Sequence, residues 1–211
     1  MSLNTTKDDI GERYMRTHEG QAKALNNEQF QKVIDYVWQT SHDPLRDIAI
    51  LQISYRAGLR AKEIAELTLE DILDENGDIK QHLPLRKKTT KGSKGGVAFF
   101  TSPELREALS RYVVDIRLSV DTKYRNVFIS RKYTPFSPSS MSRLFGNLYR
   151  NAGFHGCTGH TGRRSIAKRL NEQNVSVYNI QKILRHSSIQ TTVNHYLSVD
   201  EETLANIVSG V

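Results

Sequence analysis

Residues 186–196, His-Ser-Ser-Ile-Gln-Thr-Thr-Val-Asn-His-Tyr, place a histidine and a tyrosine on consecutive predicted helices. The first helix ends at the histidine, and the second is short and covers residues 191–197. Thr191 or Thr192 is suited to cap the second helix, because a threonine hydroxyl accepts a hydrogen bond from a first-turn backbone N–H. A lone tyrosine is usually a packing residue, so Tyr196 becomes a candidate nucleophile only together with other segments of the chain.

Outside this stretch, apolar residues recur at helical spacing over most of the chain. Asparagine, serine and proline residues stand where predicted helices begin, and Gly58 stands where one of them ends. The last predicted helix, 200–208, is apolar with little polar cover. The predicted helices begin near residues 26, 43, 61, 102, 137, 158, 176, 191 and 200.

The middle of the chain changes to the alternating pattern of β-strands. Asn76-Gly77-Asp78 is a tight-turn signal, and residues 79–85 then alternate between apolar and polar side chains. Residues 97–100 predict the returning strand, and residues 127–129 predict a short buried strand or extended piece. The sequence therefore predicts an α+β, mainly α fold, in which a single helical domain carries a small antiparallel sheet of two to three strands.

Length and composition indicate one basic domain. Residues 22–211 are long enough for a sizeable core, whereas the polar residues 1–21 predict a flexible N-terminal tail or linker. The net charge is +7 and the pI is about 9.5, which favours a polyanionic partner such as nucleic acid. The single cysteine, Cys157, fits a reducing compartment, and no apolar run approaches the roughly 20 residues of a membrane span. We therefore expect a soluble cytoplasmic protein that does not associate with membranes.

Two further segments combine a cation with a second functional group. Arg60 follows a predicted helix end, and Glu63 can orient its guanidinium from the next helical turn. His160 and Arg163 have a spacing of three, which puts them on one face of a helix, and Arg164 follows directly. A hydrogen-bond donor beside a planar cation is suited to binding a phosphate group. Each pair taken alone is equally compatible with a solvated helix boundary or face.

A third segment is the basic turn Lys91-Gly92-Ser93-Lys94, which follows Lys87 and Lys88. Its glycine lets a lysine approach a nucleic-acid backbone closely. The segment lacks the Gly-x-x-x-x-Gly-Lys-Ser/Thr order, so it does not predict a nucleotide-binding loop. Alone, it is compatible with a solvated loop or with non-specific phosphate contacts.

Together, these segments resemble the tyrosine recombinases, the phage integrase family. Each piece is weak alone, but their order and separation are specific, and the resemblance covers residues 22–200. It implies the catalytic fold of that family. The matching pieces are Ala57-Gly58-Leu59-Arg60-Ala61-Lys62-Glu63, Lys91-Gly92-Ser93-Lys94, His160-Thr161-Gly162-Arg163-Arg164, Arg185-His186-Ser187, Thr191-Thr192 and Tyr196.

The resemblance implies an enzyme for site-specific DNA recombination, which integrates, excises or inverts DNA. Tyr196 matches the nucleophile, which forms a 3′-phosphotyrosine link and releases a 5′ hydroxyl. Lys91 best matches the general acid, with Lys88 or Lys94 as alternatives. The implied catalytic residues are Arg60, Lys91, His160, Arg163, His186 and Tyr196, Glu63 is a supporting residue, and Lys87, Lys88, Lys94 and Arg164 contact DNA.

The same resemblance implies the partners and requirements of the reaction. Two arginines and a lysine supply charge that metal ions supply elsewhere, and the phosphoester is exchanged rather than hydrolysed, so we expect no metal, ATP, cofactor or small-molecule substrate. Double-stranded DNA is the expected partner, bound by a homotetramer. The predicted helix 200–208 either packs on its own core or docks on a neighbouring subunit. The sequence leaves open the DNA target and the direction of recombination. It also leaves open whether Tyr196 acts in the active site of its own subunit or in that of a neighbour.

The chain departs from the family pattern in three places. Gly162-Arg163-Arg164 stands where the family often has Leu-Arg-His, and Arg185 stands where it often has glycine before the later histidine. Neither change removes a catalytic group, but Arg185 alters how tightly the turn closes. About 20 residues precede the first predicted helix, where the family usually has a separate helical domain. Either this sequence is part of a longer chain, or it resembles the shorter members such as the fimbrial-switch recombinases, and weak DNA affinity in isolation is expected in both cases.

Three other functions fit parts of the sequence. A metal-dependent nuclease would use the acidic stretch 63–78, although this stretch lacks a histidine cluster with ligand-like spacing. Cys157 and His160 are at most half of a zinc site. A non-catalytic DNA-binding module fits the basic charge and short helices equally well, and a type IB topoisomerase-like enzyme shares the tyrosine chemistry.

Overall fold

The computed structural model describes residues 22–86, 95–119 and 125–196 together with Ser209, and this part of the chain is mainly helical. The predicted tail 1–21, the lysine segment 87–94 and the predicted helix 200–208 lie outside it. The α+β, mainly α prediction is confirmed. The elements are α1 (Asn27–Thr40), α2 (Pro44–Gln52), a π-helix (Ile53–Ala57), α3 (Ala61–Ala65), α4 (Leu69–Ile72), β1 (His82–Leu85), β2 (Gly96–Phe99), α5 (Pro103–Ser119), α6 (Pro138–Asn151), α7 (Thr161–Glu172), α8 (Val177–Leu184) and α9 (Ile189–Tyr196).

Several helices begin at the capping residues that the sequence indicates. The Asn26 side chain accepts a hydrogen bond from the Gln29 N–H at 2.8 Å, and the Gln29 side chain accepts one from the Asn26 N–H at 3.0 Å. This reciprocal pair satisfies two backbone donors that the first turn of α1 leaves without helical partners. Ser137 and Ser176 cap α6 and α8 through their hydroxyl oxygens. The local sequence therefore sets where these helices start.

The predicted helix from residue 43 to residue 57 consists of two different helices. It begins as α2 with Pro44 in its first turn, but the last five residues form the π-helix. This wider turn coincides with a close approach of α7, because a Cβ atom added at Gly162 would lie 2.3 Å from Ser54 Oγ. Gly58, with φ at +63°, ends the π-helix in the left-handed conformation that glycine adopts without strain.

The small sheet has two antiparallel strands, in agreement with the predicted two to three. His82 of β1 lies opposite Phe99 of β2, and the pairing continues to Leu85 opposite Gly96. In the predicted piece 127–129, Val127 and Phe128 are buried, but Ile129 forms an isolated bridge with Pro135 rather than a strand of this sheet. The sheet is thus a pair of antiparallel strands, and the lysine segment 87–94 lies between them in sequence.

Two apolar clusters hold the helices together. The larger one gathers buried side chains from α1 through α6 and the hairpin. The smaller one joins α7 to α8 through Ile166, Ala167, Ile180 and Leu184. This second cluster fixes the end of α8 beside the start of α7. Among the described residues, none of the helices is both long and apolar enough to cross a membrane.

Candidate active site

Three segments that are distant in sequence meet at one place in the fold. They are the turn after the π-helix, the first turn of α7 and the end of α8. Gly58 lies at the centre, because a Cβ atom added there would lie 2.9 Å from Leu184 Cδ2 and 3.3 Å from Ile166 Cγ2. The absent side chain therefore lets α7 and α8 approach the backbone that leads into Arg60.

Arg163 joins all three segments from the interior. Its residue is only 1% exposed, and its guanidinium donates hydrogen bonds to the carbonyl oxygens of Gly58 and Leu184, the latter at 2.6 Å. A planar guanidinium can serve two acceptors at fixed angles, which a lysine ammonium does less well. Arg163 thus brings a buried positive charge to the junction and fixes the geometry of the Gly58 turn.

Glu63 lies at the same junction between two guanidinium groups. Its side chain is fully buried, with Oε1 2.7 Å from Arg60 Nη1 and Oε2 3.1 Å from Arg185 Nη2. Glu63 Oε2 also accepts a hydrogen bond from the Arg60 backbone N–H at 2.8 Å. The predicted orientation of Arg60 by Glu63 therefore agrees with this geometry, and Arg185 is a second partner of the same carboxylate.

The charges around Glu63 determine its protonation. Burial alone would raise its pKa, but the nearby guanidinium of Arg185, the Arg60 N–H and the guanidinium groups of Arg60 and Arg163 together hold the pKa below its usual range. Glu63 is therefore an anion at neutral pH. Burial lowers the pKa of Arg185, and the facing Glu63 carboxylate partly offsets this lowering.

Arg60 is the part of this cluster that reaches solvent. Its side chain is 22% exposed, whereas that of Arg185 is 7% exposed. The second guanidinium nitrogen, Nη2, donates to the Arg185 carbonyl oxygen at 3.2 Å. Arg60 is thus held from two sides while part of its guanidinium stays accessible to an anion.

His186 follows Arg185 directly and is half-buried. Its Nδ1 lies 2.9 Å from the hydroxyl of Thr192, which is fully buried, and its carbonyl oxygen accepts a hydrogen bond from Gln181 Nε2 at 3.1 Å. The prediction that Thr191 or Thr192 caps the last short helix is wrong, because α9 already begins at Ile189. Thr192 instead lies inside α9, where its hydroxyl orients the imidazole.

His160 and Arg164 flank Arg163 in sequence but have different surroundings. His160 is the residue before α7, which begins three residues later than the predicted 158, and it is exposed while Arg163 is buried. Arg164 Nη1 donates to the Ala22 carbonyl oxygen at 3.0 Å and so ties the N-terminal segment to α7. Its predicted contact with DNA stays a prediction.

Tyr196 is the last residue of α9, which begins three residues after His186. His186 therefore lies between α8 and α9, and Tyr196 ends α9. The Tyr196 side chain lies outside the described part of the structure. Lys87, Lys88, Lys91 and Lys94 lie between β1 and β2 in sequence and outside the described part of the structure. Their roles stay predictions.

The acidic stretch 63–78 has structural partners rather than a metal-like arrangement. Besides Glu63, Asp71 caps α4 through the Thr68 N–H and forms an ion pair with Arg86 at 2.9 Å. Asp74 accepts hydrogen bonds from the backbone of the following turn. Within the described ranges, no group of three or more histidine, cysteine or acidic side chains is arranged to hold a metal ion.

Comparisons with known proteins identify the family of the chain. The Phage integrase family model matches residues 23–203. Tyrosine recombinase XerA of Pyrococcus furiosus is 31% identical over 174 residues, which are 81% of this chain and 55% of that protein. The chain therefore belongs to the phage integrase family, and it spans about half the length of that relative.

Solved structures share the fold. A crystal structure of XerA recombinase superposes with a TM-score of 0.72 and 24% identity, covering 90% of this chain and 65% of the other. A structure of XerH site-specific recombinase bound to a palindromic difH substrate, described as a post-cleavage complex, has a TM-score of 0.70 and 20% identity over 88% of this chain and 52% of the other. The helical architecture around the cationic cluster is thus the fold of this family's catalytic region.

Sequence reasoning missed the roles of two residues that complete the site. In the sequence, Arg185 stands out only as a departure from the family pattern, and its signal is a charged residue at a helix end where glycine is usual. For Thr192 the sequence favours the N-cap of a helix. The signal for a position inside the helix is its spacing of four residues from Tyr196, which places the two residues on one helical face. Both act through contacts with residues on other helices or turns.

Proposed function

We propose that this chain is the catalytic region of a tyrosine-type site-specific recombinase, which cuts and rejoins DNA strands without ATP or a metal ion. The observation that carries the proposal is the convergence of Arg60, Arg163 and the Leu184-Arg185 backbone, directly before His186, on one hydrogen-bonded junction. Family membership supports the same chemistry. The DNA substrate in the XerH structure supports double-stranded DNA as the partner.

In the proposed reaction, the Tyr196 oxygen attacks the phosphorus of a DNA phosphodiester. A phenol has a pKa of about 10, so the cationic cluster favours its ionised form and the transition state. The bond from phosphorus to the 5′ oxygen breaks, Lys91 donates a proton to that oxygen, and a 3′-phosphotyrosine bond forms. His160 and His186 donate hydrogen bonds or move the phenolic proton. A second 5′ hydroxyl then attacks phosphorus and releases Tyr196.

The assembly and location of the enzyme are further parts of the proposal. A homotetramer on two DNA duplexes would provide one active site for each of the four strands that are cut and rejoined. Gel filtration with and without DNA measures that assembly. DNA as the substrate and the single cysteine, Cys157, fit the cytoplasm. A monomer that stays monomeric on its DNA site would contradict the tetramer without contradicting strand cleavage.

A nicked-duplex library tests the proposed chemistry on many DNA sequences at once. The chain is incubated with duplexes of random sequence that carry a nick near the centre, and protein-linked strands are recovered under denaturing conditions and sequenced. We expect a covalent adduct with the wild type and with Tyr178→Phe, an exposed tyrosine of α8, but not with Tyr196→Phe.

The alternative functions are separated by three further assays, which use the same duplexes or a supercoiled plasmid. A mobility shift without an adduct indicates a DNA-binding module, and cleavage that a chelator abolishes indicates a nuclease. An adduct accompanied by plasmid relaxation but no strand exchange indicates a topoisomerase-like enzyme.

A further inference from the structure

We infer that Arg185 is a positioning residue, which holds Arg60 at the scissile phosphate through Glu63 and through its own carbonyl oxygen. The inference rests on the proposed function and adds a residue to it. It starts from a conflict between sequence and conformation at the end of α8.

Arg185 adopts a backbone conformation that disfavours its own side chain. It caps α8 with φ at +55° and ψ at +45°, in the left-handed region where helices usually end with glycine. A residue with a Cβ atom adopts this conformation at a steric cost that glycine avoids. The contacts of the Arg185 side chain must therefore offset the strain of its backbone.

Those contacts converge on the segment that carries Arg60. Arg185 Nη2 lies 3.1 Å from Glu63 Oε2 and 3.2 Å from the carbonyl oxygen of Gly58, and Nη1 donates to the Ile183 carbonyl oxygen at 3.0 Å. The Gly58 oxygen is also an acceptor for Arg163. Arg185 thus closes the end of α8 onto the turn that the buried arginine already holds.

Arg60 depends on Arg185 at both of its terminal nitrogens. Nη1 is bound by Glu63, whose other oxygen Arg185 holds, and Nη2 is bound directly by the Arg185 carbonyl oxygen. The direction of the Arg60 guanidinium is therefore set by a carboxylate and a carbonyl that Arg185 fixes together. Loss of the Arg185 side chain removes the contact that holds the carboxylate, and it affects the carbonyl through the lost contacts between the end of α8 and the Gly58 turn.

Arg185 also adds to the positive charge of the cluster. Three guanidinium groups, those of Arg60, Arg163 and Arg185, face one carboxylate, that of Glu63, so the cluster carries 3 − 1 = +2 charges. Without Arg185, the buried carboxylate would be matched mainly by Arg60, and the surplus charge would fall to +1. A phosphate at Arg60 would then meet a weaker field.

The aliphatic part of Arg185 lies against the hairpin. A Cβ atom added at Gly96, the first residue of β2, would lie 2.7 Å from Arg185 Cδ and 3.0 Å from Cγ. Because Gly96 has no side chain, the backbone of β2 can lie directly against the Arg185 side chain. Arg185 thus connects the base of the hairpin that carries Lys91 with the Glu63–Arg60 pair.

Two variants separate the side chain of Arg185 from its backbone strain. Arg185→Gly removes the guanidinium but relaxes the left-handed backbone, and Arg185→Gln removes the charge while it keeps the Cβ atom and a shorter polar side chain. Arg185→Lys keeps the charge facing Glu63. Tyr133→Gly is the matched control, because Tyr133 has φ at +55° and is 70% exposed at a distance in sequence from the cluster.

The first readout needs no DNA. The side-chain N–H signals of Arg60 are followed by NMR in arginine-labelled protein. We expect these signals to shift and to exchange faster with water in Arg185→Gln and Arg185→Gly, but not in Tyr133→Gly. Unchanged Arg60 signals in both Arg185 variants would overturn the inference.

The second readout is single-turnover adduct formation at saturating concentrations of the nicked duplex recovered with the wild type. Positioning predicts a rate constant lowered about tenfold or more in Arg185→Gln and Arg185→Gly, partial recovery in Arg185→Lys, and an unchanged reactive fraction. A purely structural role would lower the reactive fraction and leave the rate constant unchanged, which overturns the inference. If the wild type forms no adduct, the proposed function fails, and the NMR signals alone decide whether Arg185 holds Arg60.

Discussion

Arg163 donates a hydrogen bond to the carbonyl oxygen of Gly58, a residue 105 positions earlier in the chain. The same guanidinium binds Leu184, so one buried side chain joins the turn before Arg60 to the helix end before His186. The site is therefore assembled by a cation that is itself part of the core. Folding and the placement of the reactive groups depend on the same contacts.

Arg163→Lys tests this dual role. A lysine ammonium cannot match the two fixed angles to the Gly58 and Leu184 carbonyls, so one buried acceptor loses its partner. We expect a loss of about 2 kcal/mol in the free energy of unfolding and a fall in adduct rate of roughly 100-fold. Chemical denaturation and single-turnover kinetics measure these effects. Arg150→Lys, at an exposed arginine of α6, is the control, and equal behaviour of the two variants would contradict the role of Arg163.

Gly162→Ala tests the close packing of α7 on the π-helix. The added methyl group would lie 2.3 Å from Ser54 Oγ and 2.5 Å from the Ser54 backbone carbon, so the helices must move apart. We expect a destabilisation of about 3 kcal/mol, measured by thermal and chemical unfolding. Gly146→Ala on α6 is the matched control, since nothing lies within 4 Å of its added methyl group, and it should stabilise by roughly 0.5–1 kcal/mol. A tolerated Gly162→Ala would show that α7 and the π-helix are not in close contact.

Thr192→Val removes the hydroxyl that contacts His186 Nδ1 and keeps the shape of the side chain. The loss of one net hydrogen bond, about 1 kcal/mol, should slow adduct formation roughly fivefold by leaving the imidazole less well oriented. Thr192→Ser retains the hydroxyl and should retain most of the rate. If valine and serine react at the same rate, the hydroxyl of Thr192 does not orient His186.

Glu63 predicts a pH dependence of stability. Its pKa in the folded protein lies below that of the unfolded chain, so its contribution is fully present above the unfolded pKa of about 4.5 and is lost as the pH falls through the folded pKa. Glu63→Gln should therefore be less stable at pH 7 and lose less stability on acidification to pH 3, as measured by denaturant titrations. Asp47→Asn should have the opposite effect. Burial raises the pKa of Asp47, so protonation of Asp47 favours the folded state, and the asparagine variant should lose more stability on acidification than the wild type. Parallel profiles for wild type and Glu63→Gln would contradict the charge state assigned to Glu63.

The local parts of the fold were predictable from sequence. The capping box of Asn26, the proline at the start of α2 and the glycine after the π-helix are each set by neighbouring residues. The pair of Arg60 and Glu63 was predictable for the same reason, because three positions on one helical turn place the two groups together. Such features depend on local conformation and not on the rest of the fold.

The remainder depends on contacts between distant segments. The π-helix occurs where Gly162 approaches Ser54, and Val127 and Phe128 are buried without joining the sheet. Arg185 pairs with Glu63 across 122 positions of sequence, which no local pattern indicates. The same reason explains Thr192, whose helix begins earlier than the threonines indicate and turns its hydroxyl toward His186.

Mass spectrometry of the covalent adduct tests the central claim most directly. After nuclease digestion of the trapped DNA, trypsin releases residues 186–211 as one peptide, because this segment contains no lysine or arginine and has Tyr196 as its single tyrosine. The account predicts a nucleotide phosphate on that peptide, with fragment ions that locate it at Tyr196. A phosphate link on any other residue, such as a serine of the same peptide or Tyr178, would contradict the account.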